Sequence, residues 1–298
     1  MKKIALATLA SFVALAGPAS AADLDRELGL IVSGVVDSWA GVQIIDEQNG
    51  PDDVVFTNGG EGLLSLPLGE NLSIQSDVKY EYNEYALEDP SFNDPWGPRY
   101  SFQGAAHLSW RDPMTGLFGA FGGVGTSSYN AGGNDGRHDF RFVGGEAQFY
   151  LNDITFYGQG GYIDFVERSG ITSLDEGLFA RGVLRWFVSP DSRLQLETTY
   201  ADIDYVNNGG STEWLSGEVR YDFTFASAPV VGDVPLYIAY RGTHRDNCTF
   251  NGGDDVTDHT FMVGTSYSFS GDRLTVDRRG ATLDTPDFGN MATCSIFD

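Results

Sequence analysis

The stretch "LSIQSDVKYEYNEYA", residues 72–86, decides the fold. Leu72, Ile74, Val78, Tyr80 and Tyr82 share one parity. Ser73, Gln75, Asp77, Lys79, Glu81 and Asn83 share the other. Strict alternation is a β-strand pattern. The run is roughly twice as long as a strand in an ordinary soluble sheet. It separates an apolar environment from a polar one over a long distance.

The pattern recurs along the chain. It predicts about twelve strands, near 30–44, 54–68, 72–86, 100–110, 116–127, 138–151, 154–165, 176–188, 193–204, 212–225, 235–243 and 259–269. No helical periodicity is expected between them. Short turns at 69–71, 112–115, 152–153 and 190–192, with a moderate one at 226–234, alternate with longer acidic loops. Those loops lie at 46–53, 87–99, 128–137, 167–174, 206–211 and 244–258. Short turns at one end and long loops at the other is the layout of a transmembrane barrel. An even strand count returns both barrel ends to the short-turn side.

The turns also set pairing. Asn152-Asp153 suits a two-residue turn with positive φ. It would pair Leu151 with Ile154, Phe149 with Phe156, Ala147 with Gly158 and Val143 with Tyr162. The opposite face would pair Gln148 with Tyr157 and Glu146 with Gln159. A turn at 69–71 pairs Leu68 with Leu72 and Leu66 with Ile74, and brings Glu61 to Lys79. Another register sets Glu218 against Arg241. A slip of one residue would put charges on the apolar face, so lipid enforces the register.

A soluble sandwich would bury the apolar parity between sheets instead. Strand length, loop asymmetry and aromatic strand ends oppose it. Those ends are Trp110, Tyr150, Trp186, Tyr200, Tyr221, Phe225, Tyr267 and Phe269. The expected fold is all-β: a transmembrane antiparallel up-and-down β-barrel.

The chain begins with Lys2-Lys3, an apolar run from Ile4 to Ala16, and an Ala-Ser-Ala end at 19–21. That is a secretory signal peptide, cleaved after Ala21; the apolar run is too short for a membrane anchor. The domain plan is a signal peptide at 1–21, a barrel at 22–271 and a C-terminal tail at 272–298. A formal charge of −24 repels nucleic acid, which is dropped as a partner. With 13% aromatics, 38 glycines and low mean hydropathy, the composition fits a barrel with a wet interior.

From residue 29 to 269 the chain resembles Gram-negative outer-membrane β-barrels of the small porin-like kind. The last strand, "HTFMVGTSYSF" (259–269), carries the resemblance most specifically. Phe261, Val263, Tyr267 and Phe269 alternate and end in aromatic-x-Phe. This looks like the closing-strand signal read by the barrel-assembly machinery. In the family that phenylalanine usually ends the chain; here 29 residues follow it. The resemblance implies outer-membrane localisation, lipid and the assembly machinery as partners, and small polar solutes as cargo. The oligomeric state stays open.

Lys79, Arg181, Arg185, Glu197, Glu218, Arg220 and Arg241 are expected to line the lumen as binding residues. Asp77, Glu81, Glu146 and Asp222 share their inward parity. A basic wall of Arg181, Arg185, Arg220 and Arg241 would face acids and filter by charge. The alternative is that these groups neutralise one another and fill the barrel. No catalytic residue, metal or cofactor is assigned. His107 and Ser109 share a strand parity but face inward, whereas barrel lipases act on the outer face. His138, His244 and His259 lie near loops without a Ser-Asp constellation. "NGGDD" (251–255) lacks full calcium-loop spacing. "GAFGGVG" (119–125) lacks a GK[ST] ending and sits in a strand.

Function is expected to be passive, porin-like diffusion of small polar solutes. The alternatives are a closed structural or adhesive barrel binding a partner through acidic loops, and a lipid-modifying enzyme. Cys248 and Cys294 are the only cysteines and an exported chain permits a disulfide. Twenty-three steps from Gly271 to Cys294 reach roughly 75 Å, against an apolar band about 25 Å tall. The tail is therefore long enough to thread the lumen toward Cys248. The other reading is a free periplasmic tail with unpaired cysteines, or an intermolecular bond.

Overall fold

A computed structural model describes residues 32–47, 53–85, 99–131, 134–166, 174–206, 210–225, 234–246 and 255–291. The proposed signal peptide and both cysteines lie outside the described residues. Twelve strands form one closed antiparallel barrel in chain order: β1 (Ser33–Glu47), β2 (Asp53–Pro67), β3 (Leu72–Tyr85), β4 (Arg99–Asp112), β5 (Gly116–Ala131), β6 (Asn134–Leu151), β7 (Ile154–Val166), β8 (Leu174–Ser189), β9 (Ser192–Tyr205), β10 (Ser211–Phe225), β11 (Val234–Arg245) and β12 (Val256–Ser268). β12 closes on β1, from Val35↔Ser268 to Glu47↔Val256. No described helix is long and apolar enough to cross a membrane, so any crossing is made by strands.

The predicted registers are found. Leu151 faces Ile154, Phe149 faces Phe156, and Glu146 faces Gln159. Glu61 faces Lys79, and Glu218 faces Arg241. Asn152 takes φ 49°, as the two-residue turn requires. At the β2–β3 hairpin, Leu68 N–H donates to the Leu72 carbonyl at 2.7 Å. The turn after β4 is held by Asp112, whose carboxylate accepts from Met114 N–H and Thr115 Oγ1, both at 2.9 Å.

The outer face is apolar. Leu108, Val124, Phe149 and Leu178 are exposed by 53–66%. In water so continuous an apolar band would drive association; in a bilayer it meets lipid chains. Trp110 and Phe118 stack at 5.2 Å near the short turns, where an aromatic girdle is expected. Tyr150 does not join it. Its ring turns inward, under the Arg278 guanidinium at 4.2 Å, while neighbouring Phe149 takes the outer place.

Two other expectations change. The segment 128–137 is not a long loop: β5 and β6 stay paired out to Ala131↔Asn134. Polar side chains there report water, not the end of the ladder, because each added pair still satisfies backbone groups. The tail also carries two short helices, α1 (Arg273–Arg279) and α2 (Phe288–Met291). Neither is long enough to show a periodicity in sequence.

Closure leaves no free strand edge, and each strand is paired with a neighbour on both sides around the ring. Refolded protein is therefore expected to run compactly in SDS without heating and to shift on boiling. Identical migration of boiled and unboiled samples would contradict a closed barrel.

Candidate functional site

The lumen is not an open water-filled bore. Gly271, at φ 138°, turns the chain after β12 back into the barrel. Asp272 caps α1 by accepting from Thr275 N–H at 2.7 Å, and Arg278 and Arg279 sit in its last turn. Short helices are marginal alone; this one is docked against the turn end. Arg278 donates to the carbonyls of Asn152 (2.8 Å) and Ile154 (3.1 Å), and Leu274 N–H donates to Pro190 O at 3.1 Å. From Gly280 to Asp287 the tail runs through the barrel to α2.

Lumen side chains satisfy its backbone. Arg111 donates to Gly280 O at 2.6 Å, and Ser33 Oγ accepts from Ala281 N–H at 2.9 Å. Gln75 Oε1 accepts from the Thr282 and Leu283 amides (3.1 and 3.2 Å), and its amide nitrogen donates to Leu283 O. Asp77 accepts from both Thr285 N–H (3.0 Å) and Thr285 Oγ1 (2.7 Å). Gln103 donates to Thr285 Oγ1 and Pro286 O, both at 2.8 Å. The side chains of an otherwise generic polar face thus act as the partner strand the tail lacks.

The predicted lumen residues then meet the tail's acids. Arg181 holds Asp284 and Glu197, each at 2.6 Å. Arg185 holds Asp277 at 2.9 Å and the other Asp284 oxygen at 3.1 Å. Across the barrel, Lys79 lies 3.3 Å from Asp287, which Arg241 also holds at 2.7 Å. Arg220 pairs instead with Asp37 (2.7 Å) and Asp222 (2.8 Å). Glu218 shares a cavity wall with Lys79, Glu197 and Arg241. All seven residues therefore face the lumen. The basic wall exists, its opposing acids come from both the tail (Asp277, Asp284, Asp287) and the barrel (Asp37, Glu81, Glu197, Asp222), and the charges neutralise one another.

The long-loop half is not wet. Phe121, Phe140, Phe142, Phe165, Phe179 and Trp214 pack inward with Ile45, Val55, Ile163 and Ile203. Phe288 of α2 sits among them, fully buried. Glycines make room for the rings. A Cβ on Gly125 would lie 2.3 Å from Phe140 Cζ, and one on Gly123 2.5 Å from Phe142 Cζ. That accounts for "GAFGGVG": it is a floor for aromatic rings laid across from β6. The wet-interior expectation is corrected for this half. Its clue was the inward parity of Phe142 and Phe140, two and three inward positions from Glu146.

His107, the histidine that shares a strand parity with Ser109, points into the barrel. It lies 2.9 Å from Glu146 and 3.5 Å from Asp77, the residue that clamps Thr285. Ser109 Oγ pairs with Ser73 Oγ at 2.9 Å. Tyr240 OH bonds His259 at 2.7 Å, and His244 bonds Thr257 Oγ1 at 3.0 Å. Among the described residues no cluster of three or more His, Cys, Asp or Glu is placed to hold a metal.

No family model matches the chain, and no curated protein matches it. Solved structures do. An outer-membrane channel from Pseudomonas putida is similar over 80% of this chain and 96% of its own, at 13% identity and TM-score 0.53. The fold is that of a Gram-negative outer-membrane β-barrel. The translocator domain of the autotransporter NalP from Neisseria meningitidis matches 84% of this chain and 92% of its own, at 12% identity and TM-score 0.47. Such identities speak to the barrel alone and leave the tail-filled lumen to be read from its own residues.

Proposed function

We propose that this outer-membrane barrel is a channel for small polar solutes in which the C-terminal tail is an internal plug. The observation that carries it is a polar crevice beside the tail. A cavity of about 80 Å³ lies toward the long loops and another of about 60 Å³ toward the short turns. They share Glu61, Gln195, Arg220 and Asp284, so only one narrow layer divides them. Each has room for a few waters. A purely structural barrel has no need for a charged crevice along its axis. The closed-barrel alternative is favoured by the packed aromatic half, and conductance decides between them. Planar-bilayer recording of the refolded full chain is expected to show small steps above the detergent blank. Their absence would end the channel reading.

In this reading the leader at 1–21 exports the chain. The exposed residues Phe261, Val263 and Tyr267 of β12, and Phe269 just after it, are offered to lipid and the assembly machinery. Cys248 and Cys294 would latch the plug. Described residues close to them in sequence already meet: Arg245 donates to Asn290 O at 3.2 Å. Three and four further residues leave ample reach for a disulfide's Cα separation of about 4.4–6.8 Å. Non-reducing peptide mapping of native outer membranes is expected to yield a Cys248–Cys294 cross-linked peptide from monomer. Two freely alkylated thiols would remove the latch.

A further inference from the structure

The tail segment 281–291 fills the lumen as a ligand would, with chemistry specific enough to name. Phe288 places its ring between Phe142 (centroids 4.8 Å apart) and Phe179 (4.9 Å), with Phe140 edge-on at 6.2 Å. These are the tilted and edge-to-face contacts of an aromatic box. The residue before it, Asp287, gives one carboxylate oxygen to Arg241 Nη1 at 2.7 Å and Lys79 Nζ at 3.3 Å. The two cations come from strands four places apart around the ring, β11 and β3, and converge on one carboxylate oxygen in the bore. Adjacent residues have Cα atoms about 3.8 Å apart, so box and cation pair lie within one small molecule's reach. One layer below, Arg181 and Arg185 divide the two oxygens of Asp284.

Withdrawal of 281–291 would remove two carboxylates, Asp284 and Asp287, and no cation. The lumen would become more positive by two charges, one beside the vacated aromatic box and one a layer below it. Glu81 would still share Arg241, and Glu61 and Glu218 line the same cavity, so the site tolerates one carboxylate at the Asp287 position and is not a general anion sink.

We propose that the vacated lumen binds small aryl carboxylates, with the ring between Phe142 and Phe179 and the carboxylate on Arg241 and Lys79. Asp287-Phe288 is their internal mimic in the plugged state. This names the solute class of the channel proposed above and rests on that reading.

The test uses the refolded full chain carrying Asp287→Ala and Phe288→Ala together, checked for compact migration before boiling. Isothermal titration with 3-phenylpropionate is compared with 3-phenylpropan-1-ol, which lacks the charge, and butyrate, which lacks the ring. The acid is expected to bind at least about tenfold tighter than either control, a difference of about 1.4 kcal/mol. Phe288→Ala alone keeps the Asp287 carboxylate in place and should favour the alcohol over the acid. Equal binding of acid and alcohol by the double variant overturns the proposal, as does binding of none of the three to compact protein. If the double variant does not refold, the unmodified chain decides. Saturating 3-phenylpropionate should then speed amide exchange over 284–290 at least about threefold relative to the alcohol, and equal rates overturn the site. The binding measurements need no conductance. A silent barrel that selects the acid keeps the site and sinks the channel, whereas a conducting barrel without selection does the reverse.

Discussion

Deleting residues 272–298 is expected to raise single-channel conductance at least about fivefold, because a barrel of this strand number is wide enough to hold either side chains or a water path. In the full chain the space beside the tail amounts to cavities of about 80 and 60 Å³ divided at Glu61, Arg220 and Asp284. Removing the tail joins them and frees Gln75, Gln103, Asp77 and Arg111 to bind water instead of backbone. The barrel itself has its own support. Its ladder is continuous without the tail, and β12 closes on β1 along thirteen residue pairs. The deletion should therefore keep its shift on boiling. An unchanged conductance in protein that still shifts would mean that the wall collapses inward or that the path is blocked by the aromatic half, and the plug reading would fail.

Much of this architecture is legible in the sequence, for a reason that also limits it. Lipid outside is a uniform solvent, so every outward residue obeys one rule. Leu72, Ile74 and Val78 could be placed from parity alone, and the turn at Asn152 then fixed the pairing of β6 with β7. Inside there is no uniform solvent. Gln75 and Gln103 look like any lumen-facing amides, yet they serve a backbone segment some 182 to 208 residues later in the chain. No local pattern encodes that. The charged residues of the candidate site could be placed on the inner face, but their partners could not. Arg185 reads as half of a selectivity wall until Asp277 and Asp284 are seen to occupy it. The aromatic half was masked differently: Phe140 and Phe142 alternate with Arg141, which points outward with its side chain 70% exposed. Near the end of a barrel strand the inside can be apolar and the outside wet, inverting the rule that holds at mid-bilayer.

Asp284→Ala is expected to loosen the plug more than any other single tail substitution. Both of its carboxylate oxygens are held, by Arg181 at 2.6 Å and Arg185 at 3.1 Å. Its carbonyl also accepts from Arg181 (3.0 Å) and Gln159 (2.9 Å). The side chains of both arginines are almost fully buried. Removing one member of a buried pair costs about 3–5 kcal/mol, chiefly because the remaining charge is left without its partner. Here Glu197 stays on Arg181 and Asp277 stays on Arg185, so the lower end applies. At about 1.4 kcal/mol per tenfold, a loss near 3 kcal/mol speeds local opening roughly a hundredfold. Hydrogen exchange of the tail amides 281–287 reads this directly, while the strand amides of β8 should be unmoved. Arg141→Ala is the control. Its ion pair with Asp164 is at the surface, where such pairs contribute no more than about 1 kcal/mol. Tail exchange in that variant should match the unmodified chain. If Asp284→Ala also matches it, the Arg181–Arg185 clamp on Asp284 does not hold the plug, and the tail is kept in place by its other contacts, among them the Phe288 box, the Asp287 pairs with Arg241 and Lys79, and the backbone bonds to Gln75, Gln103 and Asp77.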